Sequence, residues 1–152
     1  MIVLARPLAR LFARVESLGL RFSDYDLILP VPLHVARLRK RGFNQALSLI
    51  WELAKIRRIS YDPYILARIK DTPPQVGLGK AEREKNLEGA MKVVVPEKVV
   101  KKSILLIDDV TTTGSTLNAC ATALLSGGAT FVDGACLAYA DLLSDKPAAA
   151  GI

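Results

Sequence analysis

The sequence predicts an α/β fold with a mainly parallel central sheet flanked by helices, and three observations carry that prediction. Short apolar runs at Asp26 to Val31 and Ser103 to Asp108 read as buried strands, and Thr130 to Tyr139 as another strand. Segments with apolar residues at helical spacing, Asn44 to Arg57 and Ser115 to Leu125, stand between them. Strands that alternate with helices in this way build parallel sheets through crossover connections.

The elements follow in order. Ala5 to Leu18 forms a first helix, stopped by Gly19, with Arg6, Arg10 and Arg14 interleaved among Leu4, Leu8 and Leu11. That mixture makes an amphipathic surface helix, since a signal peptide needs an unbroken apolar stretch. The run Asp26 to Val31 ends in Pro30 and Pro32, as a strand leaving a sheet does. Arg37 to Arg41 reads as a dense basic turn. After it, Phe43, Leu47, Ile50, Trp51 and Ala54 recur at helical spacing, which assigns the Trp51 stripe to the core. Tyr64 to Ile69 and Met91 to Val95 are strand-like and flank an insertion, in which a Pro- and Gly-rich loop, Asp71 to Gly79, precedes a short charged helix, Lys80 to Gly89. Long loops in compact domains are often functional lids.

The 152 residues suit a single domain with one core, with 145–152 as a frayed tail. Half of the residues are apolar (51%) and 24% are charged, an ordinary balance for a globular chain. No apolar run approaches the ~20 residues of a membrane span, and no address signal is visible, so the expected location is the cytoplasm, with no membrane partner. Cys120 and Cys136 stand alone on an apolar helix face and in an apolar strand, which suits core roles in a reducing compartment. With His34 as the one histidine they are too few for a zinc site. A formal charge of +6 attracts anions without choosing among phosphorylated metabolites, nucleic acid and acidic partners. Aromatic residues are sparse and do not alternate with the basic clusters, so a stacking surface for single strands is weakly supported.

The most informative stretch is Ile104-Leu105-Leu106-Ile107-Asp108-Asp109-Val110-Thr111-Thr112-Thr113-Gly114-Ser115-Thr116-Leu117. An apolar strand delivers two carboxylates to its C-terminal end, where ligands bind in open α/β sheets. Backbone N–H groups from Val110 to Thr116 can converge on a phosphate at the start of a helix. Thr111, Thr112, Thr113, Ser115 and Thr116 add hydroxyl donors, and Gly114 lets the backbone come close to the anion. The paired carboxylates make sense as acceptors for two ribose hydroxyls, and they can also hold the hydration shell of Mg²⁺. A plain helix cap needs one hydroxyl residue rather than five in a seven-residue window. Two other phosphate motifs fail: no lysine lies between Lys102 and Lys146 to complete a P-loop, and Gly114 alone cannot make the three-glycine dinucleotide fingerprint.

Leu105 to Leu117 resembles the phosphoribosyl pyrophosphate motif of type I phosphoribosyltransferases. Pro30-Val-Pro-Leu-His34 with Arg39-Lys-Arg-Gly-Phe-Asn-Gln45 is similar to the competence-protein F (ComF) family, whose members are phosphoribosyltransferase-like. So is Thr72-Pro-Pro-Gln-Val-Gly-Leu78 followed by Arg83, Asn86 and Gly89. The resemblance implies a type I phosphoribosyltransferase-like fold and a transfer of the phosphoribosyl group to an unidentified acceptor, such as a nucleobase. It implies that Asp108 and Asp109 hold the ribose and that Val110, Thr111, Thr112, Thr113, Gly114, Ser115 and Thr116 hold the 5′-phosphate. Leu33, His34 and Arg37 would form the pyrophosphate loop, and Gln75 and Arg83 would ride on a mobile flap. Mg²⁺ would arrive with the ligand, near Asp108, without a direct protein site of its own. Catalytic residues are not identified, because no general base stands out. Family members usually also carry an N-terminal four-cysteine zinc segment and a Lys-Tyr-containing stretch, and neither is present in this sequence. The resemblance also leaves open a homodimer, a non-catalytic sensor of phosphoribosyl pyrophosphate or nucleotide, and an accessory role in DNA uptake through the basic residues Arg37 to Arg41.

Overall fold

A computed structural model describes residues 4–72 and 80–140; the side chains of 15, 17, 18, 80, 81, 83 and 84 also lie outside that description. Its centre is a parallel three-stranded sheet in the order β1-β4-β5, from Leu27–Pro30 (β1), Ser103–Thr111 (β4) and Phe131–Tyr139 (β5). Register runs from Leu27 opposite Ile104 to Pro30 opposite Ile107, and from Ser103 opposite Phe131 to Thr111 opposite Tyr139. A separate antiparallel ribbon pairs Leu66–Arg68 (β2) with Met91–Val93 (β3). The helices are Ala5–Phe12 (α1), continued by a 3₁₀ stretch over Ala13–Leu18, then Val35–Arg41 (α2), Gln45–Ile56 (α3), Lys80–Leu87 (α4) and Ser115–Ser126 (α5). Among the described residues, no helix is long and apolar enough to cross a membrane.

β4 explains the layering. Successive strand side chains point to opposite faces, so an apolar strand buried on both faces feeds two cores. Ile104 and Leu106 pack with Leu29, Ile65, Leu66, Leu87, Val99, Cys120 and Leu124, beneath α5 and the β2–β3 ribbon. Leu105 and Ile107 pack with Ile28, Ala9, Phe12, Phe22, Leu49, Ile50 and Leu53, beneath α1 and α3. All four β4 residues are wholly buried, each contributing about 2 kcal/mol of apolar transfer. The acidic pair that follows is therefore carried by the most firmly held strand of the fold.

Two expectations need correcting. Arg37 to Arg41 is the body of α2 rather than a turn, with Arg39, Lys40 and Arg41 in its last turn, where cations complement the helix dipole. No residue of α2 is buried, so its sequence shows no apolar period to betray it. The Trp51 stripe is not core: Trp51 is 49% exposed, Phe43 is also exposed, and Lys55 Nζ lies 3.4 Å from the indole centroid. The inward stripe of α3 is Ala46, Leu49, Ile50 and Leu53, which has the same period in a different phase.

The block Arg41-Gly-Phe-Asn-Gln45 is a helix corner. Gly42 ends α2 at φ 81°, a left-handed conformation that glycine adopts without strain. Asn44 caps α3, its Oδ1 accepting from Leu47 N at 3.2 Å, while its Nδ2 donates to the Val31 carbonyl at 3.0 Å. One side chain thus satisfies a free helix N–H and ties α3 to the exit of β1. Asn44→Ala removes both bonds, and denaturant unfolding is expected to register a loss of about 2 kcal/mol. A loss within experimental error would show that the corner holds without its cap.

Candidate functional site

The carboxyl ends of β1 and β4 lie side by side, with Val31 N donating to the Ile107 carbonyl at 2.9 Å. Asp108 and Asp109 follow directly. The Asp109 main-chain N–H donates to Asp108 Oδ1 at 2.9 Å, and the two carboxyl groups are also within hydrogen-bonding reach of each other. Burial, followed by the side-chain contact and charge of Asp109, pushes the Asp108 carboxyl up to about 7, against the Asp109 main-chain N–H, which favours the charged form. Arg68 likewise favours the charged form. Two adjacent carboxyl groups present several oxygens to a pair of hydroxyl groups, as acceptors and, from the Asp108 carboxyl that holds a proton more readily, also as a donor.

β4 runs on to Thr111, beyond the expected Asp108 boundary. Val110 and Thr111 pair in the ladder with Ala138 and Tyr139, so they belong to the strand rather than to a free loop. The turn itself is Thr112 to Gly114. Gly114 stands at φ 74° as the residue before α5, and its N–H meets Thr111 Oγ1 at 3.2 Å. Thr113 Oγ1 and Ser115 Oγ are 2.7 Å apart, and Ser115 N also points to Thr113 Oγ1, at 3.4 Å. The hydroxyls at 111, 113 and 115 thus brace the turn as well as facing the helix start. Ser115 is buried and, with Asn118, Met91 and Lys85, lines a cavity of about 490 Å³ between α4 and α5.

On the β1 side, Leu33 leads into His34, the N-cap of α2, whose Nδ1 accepts from Ala36 N at 3.3 Å and lies 3.4 Å from Asp71 Oδ1. Nδ1 can serve only one of these partners at a time, as an acceptor for the cap or as a donor to the carboxylate. Arg37, half-buried, donates through Nη2 to the Thr72 carbonyl at 2.8 Å. Gln75 lies outside the described residues, and Arg83 falls within α4 but its side chain lies outside the description too.

One residue escaped the sequence reading. Arg68, the last residue of β2, is 8% exposed, and its Nη2 donates to the Thr72 hydroxyl. Burial, and then the neighbouring Arg37, pull its guanidinium below the ordinary arginine range. The available signal was alternation: in Leu66-Ala-Arg68 the arginine shares a face with the buried Leu66. Leu33, His34, Arg37, Arg68, Asp71 and Thr72 therefore form one linked group beside the acidic pair.

Among the described residues no group of three or more His, Cys, Asp and Glu side chains could hold a metal ion. Two carboxylates suit a Mg²⁺ ion that keeps several waters and takes other oxygens from a phosphorylated ligand.

The architecture is that of the type I phosphoribosyltransferases. It matches glutamine phosphoribosylpyrophosphate amidotransferase from B. subtilis with a TM-score of 0.56 at 18% identity, over 88% of this chain and 26% of that one. It matches UMP synthase of Leishmania donovani with a TM-score of 0.50 at 13% identity, over 90% and 27%. In sequence, the chain is 34% identical to DNA utilization protein YhgH of Salmonella typhi over 137 residues, 88% of this chain and 60% of the relative. It is 39% identical to competence protein F of Haemophilus influenzae over 94 residues, 61% of this chain and 41% of the relative. The chain thus spans about half the length of the curated relatives it matches. No family model matches it. Within the type I phosphoribosyltransferase-like fold, the chain is thus similar in sequence to competence protein F and to DNA utilization protein YhgH over part of their length.

Proposed function

We propose that the chain binds phosphoribosyl pyrophosphate and transfers its phosphoribosyl group to an acceptor, releasing pyrophosphate. The observation that carries this reading is the pair Asp108–Asp109, with the Asp109 N–H donating to the Asp108 carboxyl, set at the carboxyl end of the central strand and followed through Gly114 by a helix start. The pair would accept hydrogen bonds from the two ribose hydroxyls. Amides from Gly114 onward, with the hydroxyls of Thr112 and Thr116, would take the 5′-phosphate, aided by the α5 dipole. Arg37 would neutralise the departing pyrophosphate as the bond from C1 to its oxygen breaks and the acceptor bonds to C1, through an oxocarbenium-like transition state. Mg²⁺, held by pyrophosphate oxygens and by water on Asp108 or Asp109, would supply further charge neutralisation. Calorimetric titration with phosphoribosyl pyrophosphate in Mg²⁺ buffer should give one saturable site per chain. No heat and no protection of the chain from unfolding at millimolar ligand would overturn the reading.

A second reading, handling of nucleic acid, draws on the names of the relatives and on a surface feature. Arg39, Lys40 and Arg41 are exposed at the end of α2, Phe43 is exposed in the corner that follows, and Trp51 is exposed on α3. Such a surface predicts single-strand binding that falls steeply with salt, unlike binding of the small ligand.

A further inference from the structure

We infer that Arg68 is a positioning residue for the pyrophosphate half of the ligand, acting through Thr72 on Arg37. The inference rests on the phosphoribosyl pyrophosphate reading and adds a residue that the sequence motifs do not contain.

Three observations carry it. Arg68 is more than nine-tenths buried, its Nε is hydrogen-bonded to nothing among the described residues, and no carboxylate among them pairs with it. A buried guanidinium without a counter-ion is costly, and a methionine or leucine of similar volume would fill the same space at lower cost. Second, Arg68 and Arg37 come from different elements, β2 and α2, and converge on the same residue. Arg68 donates to the Thr72 hydroxyl and Arg37 to the Thr72 carbonyl. Thr72 is itself buried, so its hydroxyl and carbonyl are held in fixed directions between the two cations. Third, like charges brought together repel, and Asp71 and Asp108, the carboxylates whose charge favours the Arg68 guanidinium, do not form an ion pair with either arginine among the described residues. A polyanion at the mouth of this group would resolve the repulsion, with Arg37 nearer the surface to meet it and Arg68 behind it holding Thr72. The ribose and 5′-phosphate, placed at β4 and α5, would not depend on this arrangement.

That asymmetry makes the inference testable with three probes: phosphoribosyl pyrophosphate, inorganic pyrophosphate and ribose 5-phosphate. In Arg68→Gln, pyrophosphate affinity should fall by about tenfold or more while ribose 5-phosphate affinity stays within about twofold. Arg68→Lys should restore part of the loss. Arg37→Gln should lose at least as much pyrophosphate affinity, and the double variant should be no worse than Arg37→Gln alone, because Arg68 works through Arg37. Circular dichroism checks that each variant folds. If Arg68→Gln does not fold, Thr72→Val removes the hydroxyl at nearly constant size and should give the same split. Equal losses for both probes, an unchanged pyrophosphate affinity, or fully additive losses would overturn the role of Arg68. A wild-type chain that binds none of the three probes would overturn the parent reading instead, so the two failures are distinguishable.

Discussion

The double substitution Asp108→Asn with Asp109→Asn is expected to weaken phosphoribosyl pyrophosphate binding by about a hundredfold and, at the same time, to raise thermal stability above neutral pH. The two effects have one cause. In the unfolded chain the Asp108 carboxyl titrates near its ordinary value of 3.8, whereas in the folded chain burial and Asp109 push it up to about 7. Between those values the folded state keeps a proton that the unfolded state has released. The contribution of this group to stability is therefore fully present below pH 3.8 and is lost as pH rises through 7. An amide carries no such penalty. At about pH 8 the variant should gain about 2 kcal/mol, roughly 5 °C in Tm, and the gain should vanish toward about pH 4. Thermal melts across that range, paired with calorimetric titration, check both halves. Unaltered affinity would reduce the pair to a polar strand end, and a variant less stable at about pH 8 would contradict the burial of Asp108.

Gly114→Val is expected to have the next largest effect. At φ 74° a side chain with a branched Cβ is strained whatever room surrounds it, and nothing lies within 4 Å of the position its Cβ would take. The cost to folding should be about 2 kcal/mol. Gly114 also stands where α5 begins, so relaxing that strain must reorient the amides that would meet a phosphate. Gly19 supplies a matched control, since it has φ 100°, equally open surroundings and a place at the end of the N-terminal 3₁₀ stretch. Gly19→Val should show a comparable stability loss with full affinity for ribose 5-phosphate, while Gly114→Val should lose that affinity. Equal binding by both variants would remove the turn from the phosphate site.

The parts of the fold legible in the sequence were those whose burial leaves a period. Ile104 to Ile107 is apolar on both faces because both faces are covered, and the helix after Gly114 starts where the small-residue turn ends. α2 was illegible because it buries nothing, and α3 was found in the right place but read in the wrong phase because its inward stripe includes the small Ala46. Within the candidate site, Asp108 and Asp109 announced themselves as charges interrupting an apolar strand. Arg68 did not, since one arginine closing a three-residue strand resembles an ordinary surface cation until Leu66 is seen to share its face. His34 and Arg37 were singled out for a ligand, and the structure adds cap and backbone contacts that the sequence does not display.

The β2–β3 ribbon has a consequence for how this chain can diverge. Arg68 faces Met91 in the ladder, and Ile69 N reaches the Ala90 carbonyl at 2.8 Å, so the intervening segment leaves and rejoins the body at one point. Once such a gate is closed, doubling the length of what it encloses costs only about 0.6 kcal/mol in closure entropy. Added length in the segment therefore bears lightly on the sheet as long as Leu87, which packs with Ile104 and Leu106, and Thr72, which Arg37 and Arg68 share, are kept. Selection on the length of that segment acts almost independently of selection for a stable scaffold.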